Sequence, residues 1–281
     1  MRESAASATA LMVALSMLRF GACSGLSSAH TALARTALQR AGAVWQLLGW
    51  LAQRAWGRGL LDALEWVFEP GMARHHCERK RWLLARLVEQ PLPARWLWIG
   101  AGFDATPRVA ALSVGTAHIE LIECDHPATL DLRREAADAI DLLQPEALRE
   151  QALRWPQDER LLLSLLAQGK ATVVLEGVLM YWEPADLLRM LALLAHLQHP
   201  PRLLFSALGQ GVDSRWRRIW LHLQHEPFRW RASRDDMLAQ LAEHGYRCEA
   251  NWQGDCFSEF LLDCRFVGKR PIGDASSAAR E

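Results

Sequence analysis

The chain has 281 residues, carries 32 basic and 32 acidic side chains, and is 51% hydrophobic. That apolar fraction supports a sizeable core and excludes a disordered chain. A formal net charge of zero argues against a general nucleic-acid binder, which carries a basic excess. No run of about 18 uncharged apolar residues is present, which argues against a spanning helix. Trp is over-used, with 13 residues against 2 Tyr and 8 Phe, and such rings line cores, grooves or lids.

Residues 1–92 read as helices. Leu11, Leu15 and Leu18 form a helical stripe. Segments around 30–41, 43–56 and 59–68 are rich in Ala, Leu and Trp and are broken by glycines at 42, 57 and 59. Pro70-Gly71 makes a turn, and a helix runs from Arg74 to Glu89 before Pro91 and Pro93. The apolar stretch Ala8 to Leu18, followed by Cys23, has the outline of a lipoprotein leader, but Arg19 interrupts it and Glu3 cancels Arg2. The six cysteines form no CxxC and no zinc spacing, so reduced thiols in a cytoplasmic protein are expected.

The pattern changes near residue 94. Arg95-Trp96-Leu97-Trp98-Ile99 reads as a buried strand feeding the turn Gly100-Ala101-Gly102. Further strands are expected at His118–Cys124, weakly at Leu153–Trp155, at Ala171–Leu175, at Arg202–Ala207 and at Glu259–Val267. Helices are expected at about Ala128–Leu143, Pro184–Leu197 and Asp235–His244. Strands alternating with helices imply a largely parallel sheet, with ligands at the carboxyl ends of its strands.

Three of those strand ends carry chemistry. The first, Gly100-Ala101-Gly102-Phe103-Asp104, lets the backbone turn sharply beside a ligand; Ala105 stands where a dinucleotide fingerprint has a third glycine. The second is Glu123-Cys124-Asp125-His126-Pro127. An acid about 20 residues beyond the glycine turn suits ribose hydroxyls, although Asp125 before Pro127 also suits a helix cap. The third is Glu176-Gly177-Val178-Leu179-Met180-Tyr181. A carboxylate there needs a cation, which either a ligand ammonium or an arginine from the N-terminal helices supplies.

Read together, these elements resemble the bacterial branch of the leucine carboxyl methyltransferase family, class I S-adenosylmethionine-dependent methyltransferases. Thr9-Ala10 with Arg19, and Pro70-Gly71 through His75, Arg79 and Lys80, match that family's upstream signatures. The resemblance spans roughly residues 7–268. It implies an α/β, Rossmann-like methyltransferase sheet with helices on both faces. It also implies an N-terminal helical cap (1–92), a cofactor domain (93–268) with a lid insertion at about 209–233, and a flexible tail (269–281). The implied cofactor is S-adenosylmethionine. Gly100, Ala101 and Gly102 would turn beneath its methionine part, with Asp104 beside them. Asp125 would hold the ribose, Arg79 the carboxylate, and Glu176 the amino end or the transfer region, while Tyr181 would wall the pocket. Trp155 is a candidate for stacking on the adenine, and Asp158 a poor one for binding it.

The acceptor is expected to be a carboxylate or hydroxyl of a small, partly apolar metabolite. A carboxylate needs no general base, whereas a hydroxyl does; His75, His76 and His126 are candidates, although a lone His near a helix start is more often structural. Trp216, Ile219, Trp220 and Leu223 mark an amphipathic helix in the lid. The expected partners are thus a small-molecule acceptor, with no nucleic acid, membrane or metal, in a monomer or homodimer. A nicotinamide-dependent oxidoreductase and a non-catalytic relative remain as rival readings.

Overall fold

The computed structural model describes residues 6–89, 95–115, 119–211, 215–254 and 258–268, without the side chains of residues 215–217 and 220. His118, Pro91, Pro93, Cys256, the side chains of Trp216 and Trp220, and the expected tail 269–281 lie outside the described residues. Five helices come first: α1 (Ala8–Phe20), α2 (Ser28–Arg40), α3 (Ala43–Ala52), α4 (Ala55–Phe68) and α5 (Met72–Glu89). The remainder runs β1 (Arg95–Ile99), α6 (Thr106–Ser113), β2 (Glu120–Asp125), α7 (Pro127–Asp138), β3 (Ala147–Ala152), α8 (Glu159–Leu166), β4 (Thr172–Leu175), α9 (Pro184–Ala195), β5 (Arg202–Ala207), α10 (Arg215–Leu223), α11 (Arg234–Glu243), β6 (Tyr246–Gln253) and β7 (Phe260–Phe266). A single 3-10 turn, Leu179–Tyr181, follows β4.

The seven strands lie in the order β3-β2-β1-β4-β5-β7-β6. The first five pair in parallel, and β7 and β6 join antiparallel at one edge. The period-2 alternation of a strand explains how the sheet is covered. Leu97 and Ile99 face one core with residues of α8, α9 and α11. Their neighbours Trp96 and Trp98 face the opposite core, with Leu83 and Leu87 of α5 and Ala110 and Ala111 of α6. A third cluster joins α1 and α2 to Ala136 and Ala137 of α7 and to Phe103 of the glycine turn. The N-terminal helices are therefore built onto the carboxyl ends of the strands.

Two sequence expectations need correction. The third strand is Ala147–Ala152, not Leu153–Trp155, which follows it as irregular chain. Its sequence, ALREQA, alternates exposure on an outer edge and offers no apolar run. For the same reason β6 was not expected at all: Tyr246–Gln253 buries alternate residues only, at the other edge of the sheet.

Candidate active site

A cavity of about 1130 Å³ opens where the N-terminal helices meet the carboxyl ends of the strands. Small-molecule sites run to roughly 300–1,000 Å³, so there is room for two ligands side by side. Its lining includes Arg79, Gly100, Ala101, Gly102, Asp104, Asp125, Glu176 and Tyr181, and of the candidate bases His76 and His126 but not His75.

The glycine turn is fixed from below. Gly100 N–H (2.8 Å) and Ala101 N–H (3.1 Å) both donate to the Cys124 carbonyl at the end of β2. Gly100 has φ 79°, and a Cβ there would stand 2.2 Å from Val178 Cγ2. Glycine is thus required both by backbone conformation and by close approach. Asp125 ties the turn to α7. One oxygen accepts from Gly102 N–H and the other from His126 N–H, each at 2.7 Å. The residue that caps α7 is His126, so Asp125 is a clasp between two loops and not the cap. Burial pushes its carboxyl up to about 6, against the pull of those two N–H groups and of Arg133.

Glu123, the other acid of this strand end, is used elsewhere. It is fully buried under Arg133 (2.5 Å) and Arg108 (2.8 Å). Burial alone would raise its carboxyl, but the two guanidinium groups hold it below the usual range. Arg133 also donates to the Gly102 carbonyl at 2.9 Å, so this pair supports the turn from behind.

Beyond the turn lies a buried cluster of charges. Arg79 bridges Glu176 and Glu259, contacting the latter at 2.8 Å. Lys80 bridges Glu176 and Asp104, the latter at 2.8 Å. Asp104 also accepts from Thr106 N–H (2.9 Å) and Thr106 Oγ1 (2.8 Å), and His75 Nε2 lies 2.6 Å from Glu259. Burial opposes ionisation of Asp104, but Lys80 and the Thr106 amide hold its carboxyl down to about 2. Burial likewise opposes Glu259, and Arg79 and His75 keep it well below the carboxylate range. Arg79 is therefore not an exposed member of a charge run; it is 4% exposed and built into the cavity wall. In the sequence Lys80 stands only as part of the family signature, with no role of its own, and Glu259, far away in sequence, carries no local motif.

The other end of the cavity is aromatic and apolar. The Trp155 and Trp182 rings lie 6.0 Å apart, and Trp155 Nε1 donates to the Asp186 carbonyl. Trp98 does not join them, because strand alternation turns it into the core under α5 and α6. Asp158 accepts from Arg154 N–H within its own turn (2.7 Å). Tyr181 packs on Phe228 of the lid, with ring centroids 5.6 Å apart. Glu226, another lid residue that sequence reading passed over, accepts from Ala8 N–H (3.1 Å), Thr9 N–H (3.0 Å) and Thr9 Oγ1 (2.5 Å). A carboxylate at the start of α1 satisfies amides that have no partner inside the helix. Glu226 thereby ties the chain between α10 and α11 to the start of α1.

No known family model and no curated protein sequence matches this chain. Solved structures do. A putative methyltransferase from Thermobifida fusca superposes with a TM-score of 0.52 at 15% identity, over 75% of this chain and 89% of that one. The fold is the Rossmann-like methyltransferase fold. Magnesium protoporphyrin IX methyltransferase from Synechocystis, solved with bound SAH, gives 0.47 at 15% identity, over 68% of this chain and 84% of that one. An O-methyltransferase family protein from Burkholderia thailandensis gives 0.44 at 13% identity, over 87% and 75%.

Proposed function

We propose that this protein is an S-adenosylmethionine-dependent methyltransferase that methylates a carboxylate or hydroxyl of a small, partly apolar metabolite. The observation that carries this reading is the convergence, on one cavity at the carboxyl ends of β1, β2 and β4, of a glycine turn, an acid and a charged cluster. The solved methyltransferases of this fold, one with bound SAH, support the choice of cofactor.

The residues fit that cofactor. Asp125 offers acceptor oxygens where ribose hydroxyls would sit, and Gly100, Ala101 and Gly102 line the cavity beside it. Arg79 would hold the cofactor carboxylate by sharing a guanidinium already paired with Glu176 and Glu259. Glu176, Glu259 and Asp104 outnumber Arg79 and Lys80, so the cluster carries an excess of negative charge next to which an ammonium and a sulfonium are favoured. Trp155 and Trp182 form an aromatic wall for the adenine. When bound, the cofactor supplies a methyl group already activated on sulfur. The protein's task is then to align the acceptor and exclude water. The Glu226 latch, which holds the proposed lid against α1, and the Tyr181–Phe228 contact, which holds it against the turn after β4, would do the latter.

An acceptor that is already ionised is favoured. Two of the candidate bases are engaged, His75 by Glu259 and His76 Nδ1 by Ser16 (3.0 Å). What supports the narrower likeness to the leucine carboxyl methyltransferases is that Thr9, Ala10, Arg19, Lys80 and Met180 also line this cavity. Calorimetric titration with S-adenosylmethionine tests the reading: micromolar binding is expected, and no heat at high protein concentration would overturn it.

A further inference from the structure

The helical hairpin of α3 and α4 leaves an apolar surface in solvent. Val44 (69% exposed), Leu47 and Trp50 face out from α3, and Trp56 (61%), Leu60, Leu64 and Val67 continue along α4, with Trp66 at 76% beside them. The two stripes are joined, since the Trp50 and Trp56 rings meet edge to face at 5.6 Å. The α4 positions recur at the spacing of one helix face, so this is a designed stripe and not scattered exposure. α3 carries no charged residue at all.

The stripe has arginines at one corner, Arg54 and Arg58, and acids further along α4, Asp62 and Glu65, with Glu69 at its end. Both acids near it on α4 are engaged, Glu65 at 2.7 Å and Asp62, by the same side chain, Arg19. The exposed residues Arg54 and Arg58 sit at the hairpin corner with no acidic partner among the described residues. The Arg54 guanidinium lies 3.6 Å over the Trp50 ring. Exposed Trp and Leu flanked by arginine is the pattern of a helix that rests in a membrane interface. No helix among the described residues is long and apolar enough to cross a membrane, so such contact would be superficial. The stripe also leads somewhere: Leu64 and Phe68 of α4 and Ile219 and Leu223 of α10 are at once exposed and part of the cavity lining.

We infer that the α3–α4 hairpin docks on the surface of an anionic bilayer, which places the cavity mouth where a lipophilic acceptor can enter from the membrane. The docking stands on the surface alone; the delivery of an acceptor rests on the proposed methyltransferase reading. This departs from the expectation of no membrane partner, which rested on the lack of a spanning apolar run and says nothing of contact at the membrane surface.

Vesicle flotation tests it. The full chain is expected to float with phosphatidylcholine vesicles containing about one-third phosphatidylglycerol and to bind pure phosphatidylcholine far less, since each interfacial arginine is worth roughly fivefold. Trp56→Glu with Leu60→Glu should abolish flotation while circular dichroism stays unchanged. Arg54→Gln with Arg58→Gln should weaken it by about 25-fold. Brominated phosphatidylcholine should quench Trp fluorescence in the wild type, and less in Trp56→Phe with Trp66→Phe. A wild-type chain that stays with the protein fraction at every lipid composition overturns the inference. So does a stable dimer by light scattering that Trp56→Glu with Leu60→Glu dissociates without any vesicle binding, because the stripe is then covered by a second copy. S-adenosylmethionine titration of the same samples separates the two claims. Cofactor binding without flotation leaves the methyltransferase reading standing and removes the membrane, and flotation without cofactor binding does the reverse.

Discussion

At the inner end of the cavity Arg79, Lys80, Asp104, Glu176 and Glu259 meet in a buried lattice of ion pairs. At its mouth the apolar side chains of Leu64, Phe68, Ile219 and Leu223 stand partly in solvent. The first region is held in place by electrostatics strengthened by burial. Its geometry is therefore set before any ligand arrives. The second is bound only by weak, non-directional contacts. It can adapt to a ligand at little cost. On the proposed function, such a division would suit rigid recognition of a cofactor and tolerant recognition of an apolar acceptor.

The largest effect is expected where a partner of the buried lattice is removed. Glu259→Ala leaves Arg79 and His75 without a shared carboxylate, and removing one partner of a buried pair costs about 3–5 kcal/mol. Denaturant unfolding should show that loss, and a change below about 1 kcal/mol would mean that water replaces the carboxylate. Next comes Gly100→Ala. The new methyl would meet Val178 at 2.2 Å with φ at 79°. Left-handed backbone costs about 1–2 kcal/mol and overpacking about 1–3 kcal/mol. Val178→Ala in the same chain should recover the packing part only. Full recovery would show that the positive φ carries no strain.

Asp125 allows the same comparison by pH. Its folded carboxyl is raised to about 6 by burial, above the free value of about 3.9. The folded state thus holds this proton more tightly than the unfolded state. The stability it contributes is present below about pH 4 and is lost as pH rises through 6. Asp104 runs the other way: held down to about 2 chiefly by Lys80 against burial, it contributes above about pH 4 and loses that as pH falls toward 2. Cofactor affinity should follow Asp125, because only the ionised form accepts from both ribose hydroxyls. Affinity measured by titration should fall by up to about tenfold from pH 7.5 to pH 5. Asp125→Asn should bind weakly and without that pH step; an unchanged step would assign it to another group.

The charged end was also the more legible in the sequence, for a physical reason. Gly100, Asp125 and Glu176 each end a strand whose apolar run announces it, and a parallel sheet brings strand ends together. Arg79 stood out only through the family resemblance, since by itself Arg79-Lys80-Arg81 reads as a solvated run. Glu259 and Glu226 were invisible. Each finds its partner across more than 170 residues, and no local periodicity encodes such a meeting. The edge strands β3 and β6 failed for the opposite reason, being half-solvated and lacking an apolar run. The exposed faces of α3 and α4 were read as ordinary helix, because periodicity shows that a helix has an apolar face but not whether anything covers it.

The smallest effect belongs to the mouth. Leu64 is 45% exposed and makes part of the cavity rim, so Leu64→Ser removes an apolar contact that folding does not depend on. Surface changes of this kind stay within about 0.5 kcal/mol, and the melting temperature should move by no more than about 2 °C. Affinity for S-adenosylmethionine should be unchanged, because the substitution is remote from the charged cluster. Binding of an apolar fluorescent probe such as anilinonaphthalene sulfonate should weaken severalfold, since a buried methylene is worth about 0.8 kcal/mol and the serine removes more than one. If cofactor affinity fell together with probe binding, the two ends of the cavity would be coupled, and the division between a rigid floor and an adaptable mouth would have to be replaced by a single cooperative site.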